Sequence, residues 1–103
     1  MDKEARKNAR KLLKLFGPNG EHWTTKKFAK DKRGRVVEYD DPKAFKFCLL
    51  GGCKHLGIPS KFLYDVVPPD PKHPNFFSVS CFNDADGFEP VKDFLTKIAN
   101  GKI

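Results

Sequence analysis

The chain has 103 residues, 39% of them hydrophobic with 10 Phe, and a formal net charge of +7. That length supports one modest core rather than two, and the apolar fraction argues against disorder. No stretch approaches the ~20 apolar residues of a membrane-spanning helix, and the start is charged from its second residue, so neither a membrane anchor nor a secretory leader is expected.

The charge is local. Residues 1–35 hold 12 of the 20 Lys and Arg against Asp2, Glu4, Glu21 and Asp31, a balance of +8, while residues 36–103 balance at −1. A cationic patch of that density attracts polyanions or an acidic protein face. Cys48, Cys53 and Cys81 are an odd number, with two in one apolar segment, which suits buried free thiols in a reducing cytosol.

In chain order, residues 2–16 read as an amphipathic helix. Ala5, Ala9, Leu12 and Phe16 fall on one stripe and Lys3, Arg6, Lys7, Arg10 and Lys14 on the opposite side. Gly17-Pro18-Asn19-Gly20 stops it. Residues 23–39 read as a β-hairpin, with β-favouring residues on both sides of Asp31-Lys32-Arg33-Gly34. Asp41-Pro42 looks like a cap and first-turn proline, which predicts an apolar helix over 42–56 ended by Gly57. Within it Ala44, Cys48 and Gly52 form a strip of small residues suited to close backbone approach, since two internal glycines otherwise cost about 1 kcal/mol each. Ser60 is a candidate cap for a short helix over 61–67. Pro68, Pro69, Pro71 and Pro74 make 68–74 an irregular connection, and 76–82 reads as an extended segment. A last helix is expected over 90–100, with Val91, Phe94, Leu95 and Ile98 inward. The expected architecture is one small α+β domain, three to four helices packed with a short hairpin.

The candidate binding surface joins Arg6, Lys7, Arg10 and Lys14 of the first helix to Lys26, Lys27, Lys30, Lys32, Arg33 and Arg35 of the hairpin. Phosphate binding needs such repeated cations, because neutralised phosphates release condensed counterions. Trp23 and Phe28 add base stacking if they are exposed, or belong to the core if they are not.

Other motifs fail on spacing. Residues 53–66 mimic a helix-turn-helix, but the second helix would expose one positive charge and run into Pro68-Pro69. Cys48 and Cys53 stand about 140° apart on a helix, and Cys48 and His55 two turns apart, so no zinc set forms and no cofactor is expected. A Cys-His nucleophilic pair needs His22 or His73 brought in by the fold. Asn83-Asp84-Ala85-Asp86-Gly87 lacks the remaining ligands of a calcium loop and suits an Asx turn better.

Taken in order, Trp23, Phe28-Ala29-Lys30-Asp31, Gly34, Cys48-Leu49-Leu50-Gly51-Gly52 and Phe82-Asn83-Asp84-Ala85-Asp86-Gly87 resemble an uncharacterised family of small bacterial and phage proteins, domain of unknown function 6197. The chain departs from its pattern at Phe82, where a Trp is expected, and in the Pro-rich 68–74 stretch. The resemblance implies a bacterial or phage origin and brings no catalytic residue with it. It also implies that Cys48, Gly51, Asn83 and Asp84 belong together, as core or as pocket. The expectation is a non-enzymatic binding module for nucleic acid or an acidic host protein. The alternative is a small enzyme with a pocket around Cys48, Asn83 and Asp84.

Overall fold

The structure, a computed structural model, describes residues 2–70, 72, 75 and 77–103. The elements run α1 (Lys3–Phe16), β1 (Ala29–Lys30), β2 (Lys46–Phe47), α2 (Leu49–Leu56), α3 (Lys61–Val66), α4 (Val79–Ala85) and α5 (Phe88–Ala99). Five helices and a two-residue antiparallel ladder make an α+β domain.

Asp2 starts α1 by accepting the Ala5 N–H at 2.8 Å, meeting one of the donors that a helix start leaves unpaired. Gly17, at φ 84°, ends it. The stripe Ala5, Ala9, Leu12 and Phe16 is buried and lies against α5, which contributes Val91, Phe94, Leu95 and Ile98. The latter helix begins at Phe88, which leaves Pro90 in the first turn, where its missing N–H costs no hydrogen bond.

The hairpin predicted over 23–39 is different. Trp23 makes a single bridge, to Phe47, and the 23–28 segment then breaks at Lys26, whose φ of 70° is outside any strand. Past Lys30, the Asp31 carboxylate accepts the Arg33 and Arg35 N–H groups at 2.9 Å each, closing a tight loop. Only the Lys30–Val36 bridge survives from the expected hairpin. The ladder forms instead between β1 and β2, pairing Ala29 with Phe47 and Lys30 with Lys46.

That pairing explains why α2 starts at Leu49 rather than near Pro42. Asp41 closes a local turn, its side chain accepting the Lys43 N–H at 2.7 Å and its carbonyl the Ala44 N–H at 2.9 Å. Phe45 and Phe47 then alternate with Lys46 as a strand does. Cys48 becomes the N-cap, its Sγ accepting the Gly51 N–H at 3.2 Å. The small residues still permit close approach, though not as one helical strip. Gly51 faces the Phe28 backbone, and Gly52 faces the side chains of Leu12, Leu15 and Phe16. Adjacent faces of α2 therefore meet the loop before β1 and α1. Gly57, left-handed at φ 68° and ψ 31°, ends the helix.

Ser60 precedes α3 without a side-chain cap bond. Residues 79–82, read from sequence as extended, belong to α4, capped by Ser78 Oγ on the Cys81 N–H at 3.1 Å. Pro71, His73, Pro74 and Phe76 of the predicted connection and strand lie outside the described residues.

A Cβ on Gly51 would overlap the Phe28 carbonyl, a backbone group that cannot swing aside. We expect Gly51→Ala to cost about 2 kcal/mol or more, in the range of overpacked core sites. Gly57→Ala meets no neighbour, and its positive φ alone should cost about 1 kcal/mol. Urea unfolding of the two variants tests this order; an equal loss would mean that α2 and the Phe28 backbone are not closely packed.

Candidate functional site

Asn83 is 1% exposed and uses all of its hydrogen-bonding capacity. Its Oδ1 accepts the Trp23 indole N–H at 2.8 Å and the Leu49 N–H, the first of α2, at 3.1 Å. Its Nδ2 donates to the Thr24 carbonyl at 3.1 Å and to Asp84 Oδ1 at 2.9 Å. The same Asp84 oxygen accepts the Lys26 N–H at 3.0 Å, which fixes that lysine in its left-handed conformation. Trp23, Cys48, Gly51, Asn83 and Asp84 thus meet at one place. The sequence reading put Asn83-Asp84 in a turn before the last helix, whereas the structure puts both inside α4.

Beside this hub lies a cleft of about 200 Å³. Its lining includes the buried Cys48, Val79 and Asn83 and, at its open side, the exposed Lys26, Lys27, Phe28, Ser80 and Asp84. Cys48 is not prepared as a nucleophile. Burial pushes its thiol above the ordinary range against the lowering effect of the Gly51 N–H. Burial also raises Cys53, to about 12. Neither His22 nor His55 lines the cleft. His22 Nδ1 is 2.8 Å from the Phe45 carbonyl, and His55 Nδ1 is 3.0 Å from the Tyr39 carbonyl with its ring stacked on Phe47. Among the described residues, no three His, Cys, Asp or Glu side chains are grouped to hold a metal ion.

The basic residues divide by what they do. Lys7 and Lys14 are exposed on the outer side of α1. Arg10 is committed, its Nη2 donating to the Ala99 carbonyl at 3.0 Å at the end of α5, where the helix dipole favours a cation. Arg6 lies next to Gly101. Trp23 is half-buried, tilted on Phe88 at 5.6 Å with its N–H used by Asn83, so it is not a stacking surface. Phe28 is 47% exposed.

Arg35 pairs with Asp31 at 2.9 Å, Lys32 sits 5.9 Å from the Phe45 ring centre, and Arg33 is exposed. Lys30 is directly opposite Lys46, and neither has an ion-pair partner among the described residues. Lys46 and Lys54, the latter 5.3 Å from the Phe28 ring, extend the cationic surface beyond the residues picked from sequence. The Phe45-Lys46-Phe47 alternation was the available signal for Lys46.

No family model matches the chain, and neither a curated protein nor a solved structure does.

Replacing Asn83 with Ala leaves the Trp23 and Leu49 N–H groups and the Thr24 carbonyl without their partner. Each such group costs about 1–3 kcal/mol when buried unpaired, so we expect a loss of about 3 kcal/mol or more, read by chemical denaturation. A smaller loss would mean that water replaces the amide.

The Arg35 backbone N–H, with the Arg35 guanidinium and the Arg33 N–H, holds the Asp31 carboxyl below the usual carboxylate range. Its folded form ionises more readily than its unfolded form, so its contribution is complete at neutral pH. It is lost as pH falls through the ordinary carboxylate range to the lower folded value. Asp31→Asn should therefore flatten the acid side of a plot of Tm against pH, and an unchanged acid side would contradict the loop's role.

Proposed function

We propose that the chain is a non-enzymatic binding module, resembling domain of unknown function 6197 and of bacterial or phage origin, that binds nucleic acid in the bacterial cytoplasm. The observation that carries this reading is the Lys30–Lys46 pair. Like charges directly opposite on a two-stranded ladder oppose folding, and no carboxylate among the described residues neutralises them. A phosphate between the two ammonium groups converts that repulsion into two favourable contacts and releases condensed counterions. Lys27, Lys32 and Arg33 on nearby chain, with Lys7 and Lys14 on α1, supply further exposed cations.

The cleft around Cys48, Asn83 and Asp84 suits seating a group better than transforming one. The thiol is held protonated, and the Asn83 amide is saturated by structural bonds. No helix of the described residues is long and apolar enough to cross a membrane.

The reading is tested with Lys46→Glu. This change creates an opposite-charge cross-strand pair, so we expect about 0.2–1 kcal/mol of added stability. Affinity for a labelled oligonucleotide should fall at the same time, with the slope of log affinity against log salt reduced by about 1. A variant more stable than the parent that binds equally well would remove the pair from the interface. Retention from nuclease-treated lysate on the wild type but not on Lys46→Glu would instead assign the surface to an acidic host protein.

A further inference from the structure

Three features around the cleft go beyond a surface of positive charge. Phe28 keeps 47% of its surface in water although it stands next to the buried Ala29, and Lys54 lies 5.3 Å from its ring centre. The cleft beside it, about 200 Å³, reaches the buried Cys48 and Val79 and presents mostly apolar surface. It is smaller than the 300–1,000 Å³ typical of sites for drug-sized ligands, which limits it to one flat group. Finally, Lys26 holds a left-handed conformation, φ 70°, at the cleft's edge. A side chain other than glycine pays about 1–3 kcal/mol for such a backbone, and strain of this kind gathers at ligand-holding positions.

The polar groups at the edge are arranged unevenly. Asp84 Oδ1 already takes the Asn83 and Lys26 donors, while Oδ2 accepts no hydrogen bond from the described residues. Asp84, exposed in the lining of this apolar cleft together with Lys26 and Lys27, thus keeps one carboxylate oxygen for a further donor. An unpaired nucleobase matches each part. It has a flat face for Phe28 and the apolar lining, an edge N–H for the carboxylate, and a phosphate on either side for Lys26 and Lys27.

We propose that this cleft seats one unpaired base of a single-stranded nucleic acid, stacked against Phe28, with the neighbouring phosphates on Lys26 and Lys27. The proposal rests on the nucleic-acid reading above and narrows it to the single-stranded class. A paired base is turned inward and stacked on both faces, so a duplex offers the cleft nothing but its phosphates. Stacking on an aromatic side chain tolerates every base, which makes preference for strandedness, rather than for sequence, the expected signature.

Fluorescence anisotropy with a short labelled oligo(dC), its duplex and inorganic polyphosphate as competitors tests the proposal. The single strand should bind about tenfold or more tighter than the duplex at equal salt. Phe28→Ala should weaken the single strand about 5- to 150-fold, the equivalent of one stacked base, and leave both the salt slope and polyphosphate competition unchanged. Ser80→Phe, which fills the cleft from its exposed side, should have the same effect and guards against a Phe28 variant that fails to fold. Equal affinity for strand, duplex and polyphosphate, with both variants harmless, overturns the base-seating proposal and leaves the basic surface as a general phosphate binder. Failure to bind any of the three at low salt overturns both.

Discussion

The start of α2 needs a partner for its first N–H, the indole of Trp23 needs an acceptor, and the Thr24 carbonyl needs a donor. One side chain from a helix 34 residues beyond Leu49 satisfies all of them. Because Asn83 is 1% exposed, water is poorly placed to substitute for it, and the low local dielectric makes each missing bond costly. The segment that passes Trp23, the cap of α2 and the body of α4 are therefore fixed relative to one another by directional bonds. The packing of α1 against α5 rests chiefly on apolar burial, with the Arg10–Ala99 bond at its edge. These are two different kinds of constraint, and they divide the molecule between a greasy half and a polar joint.

The charge distribution is the second constraint, and it works against the fold. Among the described residues, Asp31, Asp65 and Asp93 pair with Arg35, Lys61 and Lys97, while the sequence carries 20 Lys and Arg. The exposed pairs Lys61–Asp65 and Lys97–Asp93 contribute at most about 1 kcal/mol each, so they do little to offset repulsion among the remaining cations. Arg10 is a useful exception, because its contact with the Ala99 carbonyl turns one cation of α1 into a cap for α5. Lys30 and Lys46 make no ion pair among the described residues. A ladder only two residues long that places Lys30 against Lys46 adds repulsion to the fold rather than stability.

Much of the architecture was legible in the sequence where periodicity was long. The stripe on α1 and the inward face of α5 both follow from residues repeating at helical spacing over two or more turns. The short elements were not legible, for identifiable reasons. Asp31 looked like a turn residue in a hairpin, yet its carboxylate took the N–H groups that a longer ladder would have needed. Asp41-Pro42 carried a convincing helix-start pattern, but Asp41 closed a local turn and the chain paired Phe47 with Ala29 before any helix began. Cys48 as a cap was hidden because sulfur is an uncommon acceptor at that position. The grouping of Cys48, Gly51, Asn83 and Asp84 came from the order of short motifs. Their geometry is a matter of tertiary contact, which no local pattern encodes. Trp23, as an aromatic amid lysines, was equally consistent with stacking and with core until its N–H was found on Asn83.

The polar joint and the cleft are mechanically one unit. Asp84 Oδ1 receives both the Asn83 amide and the Lys26 N–H, so the bond that completes the joint also holds Lys26 in its strained conformation at the cleft's edge. Strain of this kind persists only where the surroundings over-determine it, and here Asp84 holds Lys26 while the saturated Asn83 amide holds Asp84. Loss of Asn83 therefore acts on the cleft and on folding together, and cannot separate them. Phe28, Lys27 and Lys46 stand outside the joint, exposed or half-exposed, and make no bond to Asn83. The fold thus concentrates its directional bonds in Asn83 and its partners and leaves Phe28, Lys27 and Lys46 outside that set. That division lets the surface chemistry vary while the joint that positions it stays fixed.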